Sequence, residues 1–241
     1  MAYSSKRSNR LLHSMLSRRR ASAALAGVVL GAALLPAGMA RAEDKPEYVN
    51  KALLEKNPII EDIVLGSKDA PITMVEYASA TCPHCAAFHV NEWPVIRKEY
   101  VDTGKMKFIF REFPLDQVAL AAFMLTRCAA KGDAQKYEAV LDMVMKTQRD
   151  WAKNPKEGLM KIMRLAGLPD EQFDKCLKDE ALARKIMNSA RSGSKAFGIQ
   201  STPTFFINGR KVVGRLDIAS FRKIIDEELK RAAQTPQKTA Q

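Results

Sequence analysis

Cys82 and Cys85 are separated by Pro83 and His84. They follow the strand-like run Ile72-Thr73-Met74-Val75-Glu76-Tyr77 and open a stretch of helical character that extends to about Tyr100. A Cys-x-x-Cys pair at a strand-to-helix junction is a candidate redox-active dithiol. With Cys82 at the N-cap, Pro83 falls at the first helical position, where its missing N–H costs nothing. Cys85 lies on the same face, with Cβ atoms about 5–6 Å apart, so a small local adjustment closes a disulfide. Cys82 meets the positive end of the helix macrodipole and unpaired backbone N–H groups. His84 adds a further donor or positive charge. The expectation is an acidic, exposed Cys82 that leaves readily, and a buried, less acidic Cys85. A substrate thiolate would attack Cys82 of the disulfide form to give a mixed disulfide, and a second substrate thiolate would release Cys82. Holding Cys82 as thiolate favours the reduced form and makes the disulfide an oxidant.

The elements that must position this pair can be read from pattern. Ile63-Val64-Leu65-Gly66 reads as an edge strand, Ile72–Ala78 as the strand before the dithiol, and Lys107–Arg111 as the next strand. Strand, helix and strand in that order give a parallel pair. Pro94 should kink the intervening helix, and Thr103-Gly104 ends it. From Asp116 to about Gly198 the periodicity is helical, with candidates Gln117–Ala129, Ala134–Trp151, Glu157–Ala166, Glu171–Leu177 and Glu180–Phe197. Strand signal returns at Thr204–Ile207, Asn208-Gly209 marks a hairpin, Lys211–Gly214 continues it, and an amphipathic helix covers about Ile218–Arg231. This α/β order matches a thioredoxin fold with an all-helical domain inserted between its βαβ and ββα halves. The expected segments are 43–59 as a lead-in, 60–115 as the first half, 116–198 as the insert, 199–232 as the second half, and 233–241 as a disordered polar tail.

Residues 1–42 hold seven basic side chains and no acidic one, an apolar run from Ala23 to Leu35, and Ala40-Arg41-Ala42. The run is too short to span a bilayer comfortably, and the pattern is that of a cleavable signal peptide. Removing it takes the net charge from +12 to +5 over the remaining 199 residues, so the strong basicity belongs to targeting and does not argue for nucleic-acid binding. A periplasmic location follows as an expectation. Four cysteines in an exported chain imply two disulfides. With Cys82 and Cys85 paired, Cys128 and Cys176 remain, either bridged across two helices or as buried free thiols. A bridge would stabilise the fold by ~4 kcal/mol in the chain-entropy model.

The chain resembles the DsbA family of exported thiol:disulfide oxidoreductases over essentially all of 60–232. The likeness rests on Cys82-Pro83-His84-Cys85, on Phe113-Pro114-Leu115-Asp116, and on Ser201-Thr202-Pro203-Thr204-Phe205-Phe206-Ile207-Asn208-Gly209. It implies a cis Pro203 beside the dithiol, with Thr202 and Pro203 shaping a loop that offers backbone groups to an extended substrate. Threonine at 202 is similar to the isomerase branch, which leaves the redox strength open. The resemblance further implies thiol-bearing exported proteins as substrates and a DsbB-like, quinone-linked membrane protein as reoxidant. An isomerase or reductase of the same fold is the alternative; the short lead-in, without the N-terminal dimerisation domain usual in such isomerases, disfavours it. No organic cofactor is called for, because the dithiol is itself the redox group.

Glu76 lies in an otherwise apolar strand. It reads either as a solvent-facing position or as a partly buried carboxylate beneath the dithiol, able to exchange a proton with Cys85. The resembling family carries a glutamate at this spacing. Cys82, Cys85 and His89 could hold a soft metal, but no fourth ligand suggests itself; His89 otherwise reads as a polar residue on the helix flank. Met143, Met145, Met160 and Met163 read as packing of the insert or as a Met-rich binding face.

Overall fold

A computed structural model describes residues 45–234; the signal peptide expected at 1–42 lies outside them. A five-stranded sheet in the order β1-β3-β2-β4-β5 organises the fold. Its strands are β1 (Ile63–Leu65), β2 (Ile72–Ala78), β3 (Met106–Glu112), β4 (Thr204–Ile207) and β5 (Arg210–Val213). β2 pairs parallel with β3 on one side and antiparallel with β4 on the other. The strand leading to the dithiol is therefore central, and all its residues are buried. The β4–β5 turn takes Asn208 to φ 48° and Gly209 to φ 89°, the pair of left-handed residues that the Asn-Gly signal predicts. The lead-in holds the short helix α1 (Lys51–Leu54). It also pairs along β5, with Val49 N–H donating to Gly209 O at 2.8 Å and Lys211 N–H to Glu47 O at 2.8 Å. A single bridge leaves no periodicity in the sequence, so this added edge was not expected.

Between β2 and β3 run α2 (Pro83–Asn91), α3 (Trp93–Ile96) and a π-turn at Arg97–Val101. The expected kink is a break at Glu92, because Pro94 cannot donate to the carbonyl four residues before it. Phe88 pins α2 to the sheet, its ring 4.7 Å from that of Phe205 in β4, and also lies 5.4 Å from the ring of Phe221 in the C-terminal helix. Between β3 and β4 come six helices: α4 (Gln117–Ala130), α5 (Ala134–Lys146), α6 (Gln148–Trp151), α7 (Pro155–Leu165), α8 (Asp170–Leu177) and α9 (Glu180–Phe197). The helix expected over Ala134–Trp151 is thus two, divided at Thr147. Met145 and Met163 are buried, and Met143 and Met160 pack against the core, so these methionines fill the helical layer. Cys128 of α4 and Cys176 of α8 are joined by a disulfide, with Cα atoms 6.2 Å apart. The last helix, α10 (Ile218–Gln234), carries Phe221 into the core and runs past the end expected near Arg231. The result is a thioredoxin fold with a helical insertion. No helix among the described residues is long and apolar enough to cross a membrane.

Candidate active site

Cys82 is the N-cap of α2 and Pro83 follows at the first helical position. Both cysteines are free thiols here. Cys82 Sγ accepts from Cys85 N–H at 3.4 Å and, as a thiol, donates to Thr202 O at 3.2 Å. Its ionisation midpoint is lowered from 9.0 to about 5. The Cys85 thiol contributes most by donating to the sulfur, with further help from Thr202 and from the Cys85 and His84 backbone amides, against the cost of burial. The Thr202 hydroxyl is buried without a hydrogen-bond partner; it can donate to Sγ once the sulfur ionises and no longer gives its proton to the carbonyl. Cys85 moves the other way. Burial first, then donation to the Cys82 sulfur and the charge of Glu76, raise it well above an ordinary thiol. His84 is exposed on the first turn and acts on Cys82 through its backbone N–H.

One expectation is corrected. Cys82 is acidic but not exposed: only 5% of it is accessible. The Thr202–Pro203 peptide is cis and sets the Thr202 carbonyl against the sulfur. A loop 120 positions away covers it, which local pattern could not reveal.

Glu76 is fully buried in the middle of the sheet, which removes the solvent-facing reading. Its Oε2 lies 3.0 Å from His89 Nε2, and Oε1 is buried without a partner. His89 is therefore not on an open flank. It is 1% exposed, with the rings of Phe88, Trp93 and Phe110 about it. Its Nε2 is engaged by Glu76, and among the described residues no three His, Cys, Asp or Glu side chains are grouped to hold a metal ion.

The loop before Cys82 is tied to the insert. Thr81 Oγ1 donates to Asp116 Oδ2 at 2.6 Å, while Asp116 Oδ1 caps α4 by accepting from Ala119 N–H at 2.7 Å. The aspartate of Phe113-Pro114-Leu115-Asp116 thus starts the helical layer and anchors the redox loop together. Gln148 also reaches this loop, with Nε2 2.8 Å from Ala80 O and 3.0 Å from Cys82 O. Sequence reasoning missed it. A glutamine between two helical stretches carries no signal of its own; the one hint was its place between the buried Met145 and Trp151.

An ionised sulfur held beside a thiol that keeps its proton is suited to thiol–disulfide exchange, and a thioredoxin sheet that delivers it defines a thiol:disulfide oxidoreductase. Comparison with known proteins agrees. The family model described as Thioredoxin matches residues 59–227. The chain belongs to that family, as a disulfide oxidoreductase of DsbA type. It is similar to alpha-DsbA1 of Wolbachia pipientis, with 35% identity and a TM-score of 0.70, over 77% of this chain and 98% of that one. A Rickettsia bellii protein provisionally named a protein-disulfide oxidoreductase is 36% identical over 183 residues, 74% of this chain and 68% of the relative. The match spans 55% to 68% of the length of the Rickettsia relatives. Oxidised BdbD from Bacillus subtilis is 25% identical with a TM-score of 0.61, over 70% of this chain and 93% of that one.

Proposed function

We propose that this protein donates its Cys82–Cys85 disulfide to newly exported proteins in the periplasm and is then reoxidised by a DsbB-like, quinone-linked membrane protein. The observation that carries the reading is the seat of the Cys82 sulfur at the N-cap of α2, where it accepts from Cys85 N–H and its midpoint is lowered to about 5. A thiolate so favoured is a good leaving group and makes the disulfide form the less stable one. The signal-like pattern of residues 1–42 supports export. In the forward step a substrate thiolate attacks Cys82 Sγ of the disulfide, the S–S bond breaks, and Cys85 leaves as thiolate and takes a proton. With Sγ in a disulfide, the Thr202 carbonyl loses its S–H donor and can accept an N–H from an extended substrate. Equilibration of the purified dithiol with glutathione tests the reading. The expected potential lies well above the thioredoxin value of about −270 mV. A value near that of thioredoxin would make this chain a reductant and set the donor role aside.

Glu76 is the group that exchanges the proton with Cys85. His89 holds its Oε2, the partnerless Oε1 remains available, and the carboxylate is close enough for its charge to act on the Cys85 thiol. Glu76→Gln keeps the shape and removes the proton carrier. Release of mixed disulfides, followed by stopped flow across pH, is expected to slow by about a hundredfold, the lower end of what a positioned proton carrier contributes. Superimposable pH profiles for parent and variant would count against this role.

A further inference from the structure

The segment Ser79–Cys82 is held from three directions. Cys82 N–H donates to Ser79 O at 3.1 Å within the loop. The Thr81 hydroxyl reaches Asp116 at the head of the insert. The third hold comes from Gln148, only 7% exposed, which spends both amide hydrogens on the loop, one on Ala80 O and one on Cys82 O. Cys82 O also accepts the first intrahelical bond of α2, from Ala86 N–H at 3.1 Å. Gln148 therefore grips the N-cap residue itself. Its own placement is well determined. Thr147 ends α5 with φ −105°, and its Oγ1 donates to Met143 O at 2.7 Å. Trp151, at the far end of α6, donates Nε1–H to Val144 O at 2.7 Å. Gly158 presses on the other side: a Cβ there would meet Trp151 Cβ at 2.4 Å. A turn braced on both sides presents the amide with little freedom.

We propose that Gln148 is a positioning residue of the redox site, through which the helical insert holds the Cys82 N-cap so that the His84 and Cys85 amides face the sulfur. Without it, the Ala80 and Cys82 carbonyls lose a buried donor. Such groups turn toward water or toward another donor, and Cys82 would turn with them, away from the amides that hold its charge. This inference rests on the thiol-exchange reading above and deepens it.

Gln148→Met tests it, because methionine matches the length and lacks the donors. Two read-outs follow the sulfur and not the fold: the thiolate midpoint of Cys82 by ultraviolet absorbance, and the equilibrium with glutathione at neutral pH. The midpoint is expected to rise by about one pH unit and the equilibrium to move about tenfold toward the disulfide form. A folded Gln148→Met protein with the parent midpoint and the parent equilibrium overturns the proposal. If that variant does not fold, Gln148→Asn, whose amide is drawn back by one methylene, is read the same way. A shift in its midpoint and equilibrium supports the role, and parent values overturn it. A parent protein that fails to equilibrate with glutathione overturns the exchange reading and this one together, a result distinct from an inert Gln148 in an active parent.

Discussion

Raising the pH from 5 to 8 is expected to stabilise the reduced protein against unfolding by on the order of 3 kcal/mol relative to the oxidised protein. The sign follows from one sulfur. Folding lowers the Cys82 midpoint from 9.0 to about 5. Between those values the unfolded chain binds a proton that the folded chain does not, so folding stability rises with pH. The gain is complete above the unfolded thiol's midpoint of 9.0. It is lost as the pH falls through about 5. Cys85, raised in the folded state, acts oppositely only where the unfolded thiol ionises, at the upper edge of the window. The oxidised protein has neither thiol, and its other titrating groups are common to both forms, so they largely cancel in the difference. Urea unfolding of both forms across this range measures it directly. Parallel stability curves would mean that Cys82 ionises like an ordinary thiol. A Cys82→Ser protein, which cannot form the Cys82–Cys85 disulfide, is expected to show a stability curve across pH that runs parallel to that of the oxidised parent, and to lose thiol exchange.

Removing the Cys128–Cys176 bridge should cost the fold about 4 kcal/mol in the chain-entropy model. The partners are 48 positions apart, so the bridge withholds considerable freedom from the unfolded chain. It also staples α4, whose N-cap Asp116 anchors the redox loop, to α8. For a chain of this size the loss corresponds to a fall of on the order of 10 °C in Tm. Replacing both cysteines by serine, with thermal and urea unfolding compared to the parent, checks this. The Cys82 midpoint should stay near 5 in the doubly substituted protein, because the bridge touches none of the donors that hold the sulfur. A loss under about 1 kcal/mol would show that the unfolded chain is already restricted without the bridge.

The exposed Cys82, the open-flank His89 and the unbroken Ala134–Trp151 helix failed for related reasons. Each expectation used a window of a few residues, and each outcome turned on side-chain contacts that the window's pattern does not show. Cys82 is covered by the cis-proline loop. His89 sits on a polar side of a short helix by local pattern, yet β2 brings Glu76 beneath it. The division at Thr147 lets Trp151 bond back to Val144 and brings Gln148 to the active-site loop. The edge formed by the lead-in on β5 belongs with these, as a pairing between segments more than 150 positions apart.

From the sequence alone came the dithiol, its seat at a helix N-terminus, the break near Pro94, the Asn-Gly hairpin and the order of strands and helices. These depend on short-range geometry: a cap, a missing N–H, two residues that accept positive φ, a hydrophobic period. Tertiary structure alone decided how deeply Cys82 is covered, that Glu76 meets His89, and that an amide from the insert grips the N-cap. Those contacts join residues 120, 13 and 66 positions apart. Whether such groups meet depends on how whole layers pack, and a burial or a hydrogen bond made across layers leaves no trace in the spacing of either partner.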